Sequence, residues 1–206
     1  MYKLCREFKP PVEESLHERL RRETARTHEA LETLIDTRRF FASRAGYSAF
    51  LSASQAFQSE AERVLDESGV SDVIPDWPLR RRAQLACADL EALGSTPSPG
   101  PALIGQLTKV PTPEWVLGIA YVLEGSTLGG GVLLKTVARL GVSPERGASF
   151  LASYGANRGA MWQSFLATLA SWERRAVAQE KVVGAALAAF AAARSYFTSV
   201  GLPEQA

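Results

Sequence analysis

Tyr121-Val-Leu-Glu-Gly-Ser-Thr-Leu-Gly-Gly-Gly-Val-Leu-Leu-Lys135 is the stretch on which the reading of this chain turns. It lies inside a run from Pro113 to Leu140 that otherwise reads as one helix. Thr112-Pro113-Glu114 is a helix start, with an N-cap, proline at the first position and an acid in the first turn, and Gly141 is a stop. Yet Gly125, Gly129, Gly130 and Gly131 fall within the run. Each helical glycine costs about 1 kcal/mol relative to alanine, so the four together cost roughly 3–4 kcal/mol. That is a large share of the stability of a marginally stable domain. Something that alanine would obstruct must compensate: a close partner helix, a kink, or a flat ligand lying on bare backbone. Gly118, Gly125 and Gly129 share one face at i, i+7 and i+11, and Gly130 and Gly131 would widen the bare surface. A packing seam and a ligand wall both remain open at this point.

Outward from this helix the chain stays helical. Residues 1–11 read as an irregular arm ending at Pro10-Pro11, and 12–206 as one domain. Apolar residues Leu16, Leu20, Leu31 and Ile35 recur at helical spacing between Val12 and Asp36. A second helix runs from Gly46 to about Leu65, and a third from Leu79 to Leu93. Gly94 to Pro113 is a loop rich in proline, serine, glycine and threonine, with an apolar patch over Ala102–Leu107. After the glycine helix, a short helix from Ser143-Pro144-Glu145 to Ala152, one over Asn157–Val177 and one over Gln179–Val200 complete the chain. No segment alternates as a strand does, and no fixed-period repeat is present. The fold class is all-α, with seven or eight helices in one globule.

Composition narrows the function. The chain has 206 residues, 46% hydrophobic and 22% charged, and a formal net charge of +1, which leaves no footprint for nucleic acid or acidic lipid. The clusters Arg19, Arg21-Arg22 and Arg80-Arg81-Arg82 have acidic neighbours and read as solvated helix faces. Cys5 and Cys87 make neither a disulfide framework nor a CxxC motif, which fits a reducing cytoplasm. The N-terminus has no signal-peptide core. Glu124 and Lys135 interrupt the glycine-rich segment, which argues against a membrane span.

Only two histidines are present. His17 stands near a helix start and reads as exposed. His28 continues the steps Leu20, Leu31 and Ile35 on the buried stripe of the first helix. It is either a core histidine satisfied by a backbone carbonyl or a ligand to a metal or haem iron. Glu32, at i+4, can accept from the non-ligating ring nitrogen, which fixes the tautomer of a ligand. Arg21, seven residues earlier and about 10 Å along the axis, is placed to meet a carboxylate at the edge of a large planar group, or is simply solvated. No HxxxH, HExxH or Glu-x-x-His pattern offers a zinc or di-iron site. A single histidine favours a cofactor that brings its own four donors, a porphyrin. A macrocycle held by His28 could have the glycine helix on its other side, with small Ser126 and Thr127 nearby.

The segments Leu20-Arg-Arg-Glu-Thr-Ala-Arg-Thr-His28-Glu-Ala-Leu-Glu32 and Tyr121-Val-Leu-Glu-Gly-Ser-Thr-Leu-Gly-Gly130 together resemble the haem oxygenase family, most closely its bacterial branch beside bacterial phytochromes. Tyr154-Gly155 with Trp162 and Phe165 is a weaker third match, and the resemblance spans roughly residues 14–200. It implies haem sandwiched between the first helix and a kinked, glycine-rich distal helix. His28 would be the proximal iron ligand and Glu32 its partner. Arg21 and Tyr121 would hold propionates, and Gly125 and Gly129 would lie nearest the haem, flanked by Ser126 and Gly130. Arg158 would complete the propionate clamp, with Arg174 or Arg175 as substitutes. The implied reaction is oxidative cleavage of haem, cofactor and substrate together, to biliverdin, iron and carbon monoxide. Oxygen is consumed, and electrons come from an external ferredoxin or flavoprotein reductase, since no GxGxxG fingerprint is present. A biliverdin-accepting phytochrome is an implied partner. Many relatives, the animal enzymes included, carry an aspartate where this chain has Ser126. A non-catalytic haem-binding or trafficking protein is the alternative. A thiaminase-like enzyme would need a nucleophilic cysteine, and Cys87 has no recognisable partner.

Overall fold

The computed structural model describes residues 14–95 and 107–201. The N-terminal arm, Cys5 and most of the apolar patch in the long loop lie outside these residues. The described chain is helical, without a strand: α1 (Leu16–Thr37), α2 (Arg44–Glu67), α3 (Val70–Val73), α4 (Ala83–Ala92), α5 (Pro113–Ala138), α6 (Ser149–Ala152), α7 (Arg158–Glu173) and α8 (Gln179–Ser199). Two 3₁₀ turns, Trp77–Leu79 and Gly155–Asn157, join them.

Local chemistry explains the ends. Ser15 caps α1 in a reciprocal capping box with Glu18. Thr112 caps α5 ahead of Pro113 and Glu114, as its sequence predicts. The four glycines do not interrupt α5, which is continuous to Ala138. Among the expected helices that come out shorter, two start late for a local reason. Residues 143–147 form a tight turn with isolated bridges from Ser143 to Arg146 and Gly147, and only Ser149–Ala152 is helical. Gly147 has φ +84°, a left-handed conformation that ends any helix there. The third expected helix starts at Ala83 rather than Leu79, because the preceding chain turns to send Arg80 and Arg82 inward.

The organising element is α8. It packs against α5 in the largest helix pair and against α1 in the next. Its alanines Ala185, Ala186, Ala189, Ala192 and Ala193 are buried and let both partners approach. By length and composition α5 and α8 could each cross a membrane, but 56% of each apolar stretch is buried within the protein. At the far end Phe40, Phe41, Tyr47, Phe50 and Phe197 form an aromatic cluster with ring centroids 4.9–6.5 Å apart. Helices α1 and α5, both seated on α8, barely touch each other. The separation between them positions the site.

Candidate active site

On the α1 side the buried stripe is Leu16, Leu20 and Thr24. One turn further, His28 is exposed, its side chain at 55%. The expectation that His28 lies on a buried stripe is therefore corrected. The spacing is right, but spacing alone does not say which turns of α1 a neighbouring helix covers. The imidazole stands edge-on to Phe190 of α8, centroids 5.8 Å apart. Its Nδ1 is 3.5 Å from Glu32 Oε2, in the i+4 geometry expected. That leaves Nε2 as the nitrogen for a metal. Among the described residues no group of three or more histidine, cysteine or acidic side chains could hold an ion by itself.

The glycines of α5 divide into two classes. A Cβ on Gly118 would overlap Val182 O and come within 2.5 Å of Ala185 Cβ, so Gly118 is part of the α5–α8 seam. A Cβ on Gly125 or Gly129 would meet nothing within 4 Å. The three were expected to form one bare face. Instead the face starts as a seam at Gly118 and opens after Tyr121. Gly130 and Gly131 do not widen the bare surface either. A Cβ at Gly130 would overlap Leu151 O, and one at Gly131 would sit 2.6 Å from Arg158 Nη1. Beside Gly129, Leu128 and Val132 are apolar yet 46% and 69% exposed.

α1 and α5 meet only where the opening ends. Tyr121, half-buried, has His17 and Trp162 at centroid distances of 6.3 and 6.0 Å, and His17 and Trp162 are 5.8 Å apart. His17 is thus a packed ring rather than the exposed side chain expected. Burial lowers its pKa, nearby Arg21 lowers it further, and Glu18 opposes both. Burial raises the Tyr121 phenol, which a hydrogen bond with Thr24 and the charge of Arg21 partly offset. Arg21 itself is exposed beside this pair.

Arg158 lies elsewhere. Its Nη2 donates to Leu151 O at 2.9 Å, and its guanidinium covers Gly130 and Gly131. Gly131 is ten residues, about 15 Å along the axis, from Tyr121. A carboxylate at Tyr121 and one at Arg158 would therefore be about 15 Å apart along α5. Arg175 lies over the Trp172 ring, 4.7 Å from its centroid. Arg174 is exposed.

The largest surprise is beneath α5. Arg80 and Arg82, expected to be solvated, are 1% and 2% exposed. Arg80 makes a two-pronged bond to Asp76 at 2.8 Å, donates to Glu124 Oε2 at 2.6 Å and reaches Met161 O at 3.2 Å. Tyr154 donates to the other Glu124 oxygen at 2.9 Å. Burial pushes the Glu124 carboxyl up, and Arg80 and Arg82 pull against it. Arg82 donates through Nη2 to Leu123 O at 2.6 Å and Ser126 Oγ at 3.2 Å. Its backbone N–H and that of Ala83 donate to Glu62 at 2.6 and 2.9 Å. Only Arg81 of the triplet is a surface residue, paired with Glu62 and Asp66. The signal in the sequence was Glu124 itself: a carboxylate in an apolar helix needs a buried cation, and an arginine triplet was available.

The sequence pattern of the Heme oxygenase family matches residues 14–199. Heme oxygenase PigA of Pseudomonas aeruginosa is 32% identical over 152 residues, 74% of this chain and 76% of that protein. Among solved structures, heme oxygenase of Neisseria meningitidis, seen with NO and CO bound, superposes with a TM-score of 0.77 at 24% identity. It covers 93% of this chain and 95% of that one. Heme oxygenase of Leptospira interrogans gives 0.73 at 22% identity, over 89% and 98%. Heme oxygenase 2 of Chlamydomonas reinhardtii, without heme, gives 0.75 at 19%, over 93% and 100%. These structures share the all-α fold. The chain belongs to the heme oxygenase family, enzymes that use oxygen to cleave haem to biliverdin with release of iron and carbon monoxide.

Proposed function

We propose that haem is bound in the opening between α1 and α5, where His28 Nε2 would hold its iron. The observation that carries this reading is the pairing of an exposed, oriented histidine with two helical glycines, Gly125 and Gly129, whose Cβ positions are empty. Three features fit the group. Glu32, 3.5 Å from Nδ1, can accept from the Nδ1–H and so leaves the Nε2 lone pair free for iron. The bare α5 backbone at Gly125 and Gly129 accepts a flat ring closely, as two alanines would not. Leu128 and Val132 offer apolar contact to the ring edge. Haem supplies the iron and is itself the ring that is cleaved.

The residues of the chain bind, orient and hold protons. Arg21 and Tyr121 mark the carboxylate end of the slot, with His17 and Trp162 packed behind Tyr121. Arg158 takes no part in that clamp. It fastens Gly130 and Gly131 to α6 and so keeps the distal wall in place. On the distal face Ser126 is the exposed polar side chain next to Gly125, while Glu124 is held beneath the helix by Arg80 and Tyr154. Oxygen activation then relies on backbone amides, Ser126 and ordered water rather than on a carboxylate. Electrons come from a separate ferredoxin or flavoprotein reductase, and a phytochrome that takes up biliverdin is a fitting acceptor of the product. A reducing cytoplasm suits the free Cys87.

The deciding experiment is His28→Ala in the full chain. Loss of tight haem binding and of the imidazole-ligated spectrum is expected, together with loss of biliverdin formation in the presence of a reductant. A variant that binds and degrades haem like wild type would remove His28 from the iron. In Arg21→Ala the axial spectrum should persist while haem affinity falls most at low salt, as for a lost charge contact.

A further inference from the structure

Ser126 and Arg82 touch through their side chains beside the α5 backbone, and their hydrogen bonds have a fixed direction. A serine hydroxyl has one proton to give and two lone pairs. Ser126 Oγ lies 2.7 Å from Leu123 O, which can only accept, so the proton is committed there. Arg82 Nη2 lies 3.2 Å from the same Oγ. A guanidinium carries N–H bonds and no acceptor lone pair, so at this contact Arg82 can only donate. One lone pair of Ser126 is thereby filled and one is left.

Arg82 is built into this position. It is buried, its backbone N–H is held by Glu62, and its guanidinium lies over the Phe150 ring at 5.4 Å. Its second tie at Nη2, to Leu123 O at 2.6 Å, holds the carbonyl that takes the serine proton. Burial lowers the Arg82 pKa, and Glu124, Glu62 and Tyr154 counter this, while Arg158 adds to it. Arg82 Nε is buried with no partner, so the side chain is held by where it must reach rather than by complete pairing.

We propose that Arg82 is a positioning residue that locks the Ser126 hydroxyl as a hydrogen-bond acceptor toward the slot. This rests on the slot being the haem site. A neutral serine backed by a buried cation then presents to slot water what a carboxylate would present: a lone pair and no proton. Water beside Gly125 must donate to Ser126, which fixes the direction of its remaining hydrogen bonds.

The test is a double-mutant cycle of Arg82→Lys and Ser126→Ala with two readouts. In the haem-free protein, urea unfolding is measured for wild type, both singles and the double. The cycle cancels the helix-propensity gain of alanine, and a coupling of about threefold or more in the unfolding constant is expected for groups in contact. With haem bound, both singles should keep the His28-dependent spectrum and lose about tenfold or more in turnover, and the double should be no slower than either single. Ser126→Asp, an acceptor without a proton at neutral pH, should recover much of the loss seen in Ser126→Ala. Additive effects in both readouts, or Ser126→Asp as slow as Ser126→Ala, would overturn the proposal. Failure of the haem-site reading is distinct, since it would appear in wild type as a missing His28-dependent spectrum and would leave the unfolding cycle intact.

Discussion

Two regions of α5, one packed and one open, carry the same kind of residue for opposite reasons. At Gly118 the missing side chain admits α8, and at Gly130 it admits the α6 backbone. At Gly125 and Gly129 it admits nothing from the protein. Beneath the helix, Glu124 and Thr127 are buried and tied down, while Ser126 on the open side is exposed. One side holds the helix in the fold, and the other is left bare at a cost in helix propensity of about 1 kcal/mol per glycine. The lesson is that stability and function are read from the packed and the open regions of one element, so their mutational signatures should separate.

The strongest break in that separation would come from the buried face. Arg80→Met removes the cation paired with buried Glu124 and should destabilise by roughly 3–5 kcal/mol, measured as a fall in urea midpoint without haem. Next is Gly118→Ala, which forces α5 and α8 apart. An overpacking loss of about 2–3 kcal/mol is expected, with thermal unfolding several degrees lower. Gly129→Leu should behave in the opposite way, leaving unfolding near wild type while haem binding and cleavage collapse. If its stability falls as far as that of Gly118→Ala, Gly129 belongs to a seam and the comparison fails. Gly125→Ala is the finer probe: a gain of up to about 1 kcal/mol in the haem-free protein, with slower haem turnover.

The smallest effect concerns His17, where the two walls meet. Its folded pKa lies below the unfolded value, so the unfolded chain binds more protons between the two. The resulting stability is complete above the unfolded value near 6.5 and is lost as pH falls towards the folded one. Stability should therefore rise as pH climbs towards the unfolded value, and the rise should flatten in His17→Gln when urea midpoints are compared from mildly acidic to neutral pH.

Much of this was legible in one dimension. Helical spacing, the cap at Thr112, and the glycine excess marked an all-α chain with an unusual helix, while the Ser15 cap came from the structure. His28 with Glu32 at i+4 follows from helix geometry alone. Less legible was anything that depends on which neighbour a face meets. The 100° step per residue put Gly118, Gly125 and Gly129 on one face but could not say that α8 covers only the first. It placed His28 on an apolar stripe but not at the point where α5 parts from α1. The charge pattern hid Arg80 and Arg82, because acidic neighbours in sequence look like solvated pairs when their true partners are 44 residues away at Glu124 and Ser126.

By itself, then, the sequence determined the helices, their caps, the histidine with its carboxylate partner and the glycine-rich wall, because each follows from periodicity and backbone chemistry within a few residues. Only the tertiary structure decided which glycines are filled by a neighbour and which stay open, where Arg158 is spent, and that two arginines are buried beneath the distal helix. Those facts depend on where α1, α5 and α8 converge and diverge, and that is set by packing between residues far apart in the chain.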